Sequence, residues 1–173
     1  MNRRSLLLAG LTVVGATGTA GWFALPGGTR PLTIAAASAE LTKLKGAKIR
    51  HTGDWTPAQV FEHVAQSVEY SMTGFPQPKS ALFQSTAGAA AFAVFQAKGA
   101  MKHSLTEPIP GAPTLASNGE QDAALDRLLK SLAQFDSFGG ALKPHFAYGA
   151  LDKPAYAAAH AMHVFNHLTE FSV

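Results

Sequence analysis

The chain has 173 residues, 47% of them hydrophobic and none of them cysteine, with a formal net charge of +3. That length suits one domain around one core, and the lack of cysteine excludes disulfides and thiolate metal sites. Arg3, Arg4 and Arg30 are the only charges in the first thirty residues, so 11 of the 14 basic side chains remain to balance 11 acidic ones. The folded part is therefore close to neutral and has no electrostatic footprint for nucleic acid.

Residues 1–31 are set apart from the fold as a signal or anchor segment. Asn2-Arg3-Arg4-Ser5-Leu6-Leu7-Leu8 resembles a twin-arginine export signal, and a diluted apolar run continues to Leu25. About 20 apolar residues can span a bilayer, so an uncleaved membrane tether is the alternative to a removed signal. Arginines ahead of the run keep its start cytoplasmic and send the remainder outward. The expected location is thus exported: periplasmic, or on the outer face of the inner membrane. Ala37-Ser38-Ala39 matches a cleavage pattern but lies well downstream of the run.

A first helix is expected from about Leu32 to Lys45, with Gly46 as its stop. The second has the clearest start: Thr56 as N-cap, Pro57 at the first helical position, and Gln59 closing a capping box. Trp55 and Val60 are placed as a hydrophobic staple across that cap. Val60, Phe61, Val64, Val68 and Met72 form its buried stripe, and His63 falls on the same face. Gln59 and Gln66 flank His63, as solvated surface or as partners able to orient its ring. The span from Lys79 to Lys98 has no charge between its ends and reads as a buried helix rich in small residues. The segment from Gly99 to Ser117, with Pro108, Pro110 and Pro113, reads as a long loop, either a functional wall or disordered. His103 within it is read as solvent-facing. A fourth helix is expected from Ser117 or Asn118, with Leu125, Leu128, Leu129 and Leu132 on one face, ending at Gly139-Gly140. The last helix opens at Asp152, with Leu151 and Tyr156 placed as a staple. No segment shows convincing period-two alternation. The predicted fold class is all-α: a four-helix bundle with an extra helix.

The last helix concentrates the chemistry. His160, His163 and His167 lie within eight residues, and His163 and His167 are one turn apart on one face. Such a pair can offer two imidazole nitrogens to one ion. His63, far upstream, is the third candidate.

Three motifs in order carry a resemblance: His63 in EHVAQSVEYSMTG, then HFAYGALDKPAY, then HVFNHLTEF. They are similar to those of the DinB/YfiT-like metalloenzymes, and within them to the branch known as domain of unknown function 1569. Trp55 and His63 also fall nearly in register with that branch. The resemblance spans about residues 32–173. It implies an up-down-down-up bundle and a divalent ion, zinc or nickel, held by His63, His163 and His167. The chain departs from the motifs at Phe146 (usually Pro), Tyr148 (Phe), Tyr156 (Trp), Asn166 (His) and Glu170 (Gln). Glu170 either hydrogen-bonds a ligand ring, acts as a base near the metal, or is a surface charge near the chain end. His160 is a proton-transfer group or bundle interior, with a fourth ligand as the remaining option. His160 and Glu170 are accordingly the catalytic candidates. His145 belongs to the loop motif and reads as structural.

Three neutral imidazoles leave an ion open to water or a small substrate. Thiol-dependent transferases and isomerases in the superfamily imply thiol activation, with hydrolysis as the neighbouring option. Outside the cytoplasm a thiol supply is less assured, which weighs against transfer. The competing class is a non-enzymatic exported or membrane-tethered helical module that binds a ligand or partner. Whether His63 meets His163 and His167 in space separates the two.

Overall fold

The computed structural model describes residues 29–173; most of the segment 1–31, expected to be a signal or anchor, lies outside them. The described chain is mostly helical, in line with the predicted class. Helix α1 (Ile34–Thr42) opens on Thr33, whose side chain accepts the Ala36 N–H, and is shorter at both ends than the sequence suggests. Helix α2 (Pro57–Thr73) has the predicted capping box between Thr56 and Gln59 and stops at Gly74, which sits at φ 111.

The segment between Lys79 and Lys98 departs from expectation. It is not one regular buried helix but α3 (Ala81–Phe83), a π turn (Gln84–Gly88) and α4 (Ala89–Lys98). Only Gly88 and Phe92 in it are buried, while Leu82 is 74% exposed. Its alanine-rich composition sets no single apolar stripe, and so gives no face on which a regular helix must pack.

Helix α5 (Gln121–Ser137) begins three or four residues later than predicted, and Glu120 at its cap makes no side-chain capping bond. Gln121 instead donates its side-chain N–H to the Ala47 carbonyl, a tertiary partner that local capping rules do not see. Helix α6 (Lys153–His167) starts as read, with Asp152 accepting the Ala155 N–H at 2.8 Å. A 3-10 turn (Leu168–Glu170) follows it. A short ladder, unanticipated in the sequence, then pairs β1 (Arg50–His51) with β2 (Phe171–Ser172) antiparallel, His51 opposite Phe171. Two residues are too few to show alternation.

The α2–α5 interface is the most extensive, and α6 packs against both α1 and α2. Phe61, Val64 and Val68 of α2 meet Leu125, Leu128, Leu132 and Phe135 of α5 in one core that also holds Leu41, Tyr156 and Val164. Arg127 bridges α5 to Glu62 and Glu69 on the half-exposed side of α2. Among the described residues, no helix is long and apolar enough to cross a membrane.

Candidate metal centre

His63 is carried inward by the same face of α2 as Val60 and Val64, and the one-turn spacing on α6 brings His163 and His167 to meet it. Each of the three rings offers a nitrogen, and these nitrogens all lie within 4.8 Å of one another. The ring centroids are 5.0 Å apart for His63–His163, 5.2 Å for His63–His167 and 4.9 Å for His163–His167. The three histidines singled out in the sequence therefore converge.

Two observations test whether a divalent ion suits this group. His163 Nε2 and His167 Nε2 are 3.1 Å apart; two nitrogens bonded at 2.0–2.1 Å to a tetrahedral ion are separated by about 3.3 Å. The pair already stands close to a tetrahedral edge. Burial also keeps the rings neutral. Desolvation, then His103, pushes the His63 pKa down to about 4. Desolvation, then the neighbouring rings, takes His167 to about 2 and His163 well below its ordinary value. Neutral imidazole is the ligating form. The donor set fits a zinc-like ion.

Trp55 closes one side. Its ring lies nearly parallel to His167, 6.4 Å between centroids and 8° between planes, and 5.0 Å from His63. The sequence assigned Trp55 only a staple role. His103 is a correction: it is half-buried, not solvent-facing, with its ring 4.9 Å from His163 and 5.4 Å from His167. A histidine in a long proline-bearing loop was the available signal. Neither glutamine flanking His63 turns toward its ring: Gln59 serves the cap, and Gln66 donates to the Pro113 carbonyl.

A cavity of about 320 Å³ opens beside the cluster, with His63, His163, His103, His160, His145 and Tyr148 in its wall. His160 Nε2 lies 3.3 Å from Ser71 Oγ. That hydroxyl already donates to the Val68 carbonyl, so His160 Nε2 is the donor and Nδ1 holds the lone pair. Desolvation takes its pKa to about 3. His145 has the opposite tautomer: Nδ1 accepts the N–H groups of Ala147 and Tyr148 at 3.1 and 3.2 Å. This ties down the loop ahead of α6, as read from the sequence.

Glu170 is not in the cavity wall. Its carboxylate packs over Gly53, its carbonyl accepts the Thr52 N–H, and its Oε2 is buried without a partner. His167 Nδ1, three residues earlier, is likewise buried and unpartnered.

No curated protein and no solved structure matches the chain. The family model described as "Protein of unknown function (DUF1569)" matches residues 31–173. The chain therefore belongs to the DUF1569 family.

Proposed function

We propose that this protein is an exported metal-dependent enzyme of the DinB-like type, an up-down-down-up four-helix bundle acting on a small molecule. The convergence of His63, His163 and His167 beside a cavity that His63 and His163 line carries this reading. Its volume of about 320 Å³ falls at the small end of ligand pockets. Zinc or nickel held there would supply a Lewis-acid centre that lowers the pKa of a coordinated water or thiol.

The chain's own residues do the rest. The three imidazoles bind through neutral nitrogens, and Trp55 shields His63 and His167 from water. His160, in the cavity wall with Nε2 committed to Ser71, presents the lone pair of Nδ1 as an acceptor that orients or takes up a proton from a donor on the substrate. Glu170, three residues on from His167, would orient that ring if its side chain turned from Gly53 to His167 Nδ1. Both have a buried atom without a partner, and a carboxylate joined to a ligand's second nitrogen fixes its tautomer and ring direction. Export follows from the paired arginines, since the twin-arginine route moves folded protein and allows the ion to be loaded first.

Screening the metal-loaded protein for thiol transfer and for ester and amide hydrolysis tests this, with His163→Ala as control. The wild type is expected to turn over at least one class well above the control. If it never does, while a ligand or partner binds both proteins equally, the chain is a binding module.

A further inference from the structure

The segment between α4 and α5 turns at Gly99, which adopts φ 61, and then runs back over the histidine cluster. It is pinned there by the buried side chains of Met101 and Ile109 and by the bond from Gln66 to the Pro113 carbonyl. His103 lies between the first two of these anchors.

Its ring spacings to His163 and His167, 4.9 and 5.4 Å, bracket the 4.9–5.2 Å spacings within the triad itself. It also lines the cavity that His63 and His163 line. Its tautomer is fixed. Nδ1 lies 2.6 Å from the Ser104 carbonyl, and a carbonyl only accepts, so Nδ1 carries the hydrogen. Nε2 is left with its lone pair. That is how ligating histidines are usually held: one nitrogen donating to a carbonyl or carboxylate, the other on the metal. His103 stands outside the set of nitrogens within 4.8 Å of one another. It approaches from the His163–His167 side, on a loop rather than on a packed helix.

We propose that His103 is a fourth imidazole ligand of the metal centre, supplied by the loop to a site whose other three ligands are fixed on α2 and α6. The inference rests on the metal centre proposed above. With an ion bound, four imidazoles would fill a tetrahedral site, so an incoming small molecule would have to displace the loop histidine or add a fifth ligand. The loop then links substrate entry to coordination number.

The full chain, stripped of metal and titrated with Co²⁺, provides the test. Visible absorption of the Co²⁺ form reports geometry, and X-ray absorption counts the imidazoles. We expect four imidazoles in the wild type. His103→Ala should show three, with an altered Co²⁺ spectrum and at least about tenfold weaker binding, the minimum for losing even an outer partner. His103→Gln gives the same comparison in a variant that retains a polar side chain, should the alanine variant not fold, and the wild-type count decides independently of both. Three imidazoles in a wild type that binds Co²⁺ as tightly as His103→Ala would overturn this inference and leave the three-histidine centre standing. Failure of the wild type to bind Co²⁺ at all would overturn the centre itself.

Discussion

Two groups of buried histidines lie side by side on α6 and its neighbours, and they differ in what their nitrogens meet. His145 and His160 are built into the fold: one accepts two backbone N–H groups, the other donates to Ser71. The converging group is not. His63 Nδ1 is buried without a partner, and His163 and His167 turn their Nε2 atoms toward each other, 3.1 Å apart, rather than toward the surrounding fold. Buried polar atoms in a folded protein are nearly always paired, so an unpaired set calls for an explanation. An ion that takes the lone pairs is the explanation the donor chemistry favours. Burial alone, which both groups share, does not single out a candidate ligand; the convergence of one nitrogen from each of three rings does.

The largest effect expected is acid sensitivity, and both groups contribute. Each pKa is lowered on folding, so the unfolded chain binds more protons between the folded values and 6.5. Stability from these rings is fully present above 6.5 and is lost as pH falls toward about 3, by up to about 1.4 kcal/mol per pH unit for each histidine. Urea unfolding of metal-free protein should show little pH dependence from them above 6.5 and a steep loss by pH 5. A flat profile from pH 7 to 4 would mean that the rings are not buried neutral.

Breaking the built-in group should cost stability without touching the metal. His145→Ala leaves the N–H groups of Ala147 and Tyr148 without their acceptor, a loss of about 1–3 kcal/mol for each that stays unsatisfied. Metal affinity should be unchanged. A tighter probe of the same loop is Gly88→Ala, because a Cβ there collides with the Ala147 carbonyl. Overpacking of this kind destabilises by about 1–3 kcal/mol, measurable as a lower urea midpoint.

Breaking the outer support of the converging group should do the reverse. Glu170→Ala is expected to weaken metal binding by about 10–100-fold with little change in urea midpoint, and Glu170→Gln by less, since an amide oxygen still accepts. If Glu170→Gln holds metal as before but loses about 10²–10⁴ in rate, the carboxylate is a base instead.

The sequence was most legible where local rules and burial agree. Thr56, Pro57 and Gln59 announced α2, and the inward stripe of Val60 and Val64 placed His63 beside it. The spacing of His163 and His167 then fixed two ligating candidates on one face. Where partners are distant in sequence, local rules are silent: Gln121, at the start of α5, bonds Ala47, and β1 pairs with β2 across most of the chain. His103 was misread for the same reason. Its loop has no periodicity to say which way a side chain faces, and the contact with α6 comes from where Met101 and Ile109 anchor it. The smallest expected effect belongs to a feature readable only in space, the bridge from Arg127 to Glu62 and Glu69. Its partly exposed side chains limit Arg127→Met to about 0–1 kcal/mol, even though it joins the two helices with the largest interface.

The most direct test of the account is the metal content of the chain after equilibration with equal zinc and nickel and removal of excess. One ion per chain is expected in the wild type and in His145→Ala, with loss of the ion in each of His63→Ala, His163→Ala and His167→Ala. A wild type that retains no ion, or a His63→Ala variant that retains it as the wild type does, would contradict the three-histidine centre.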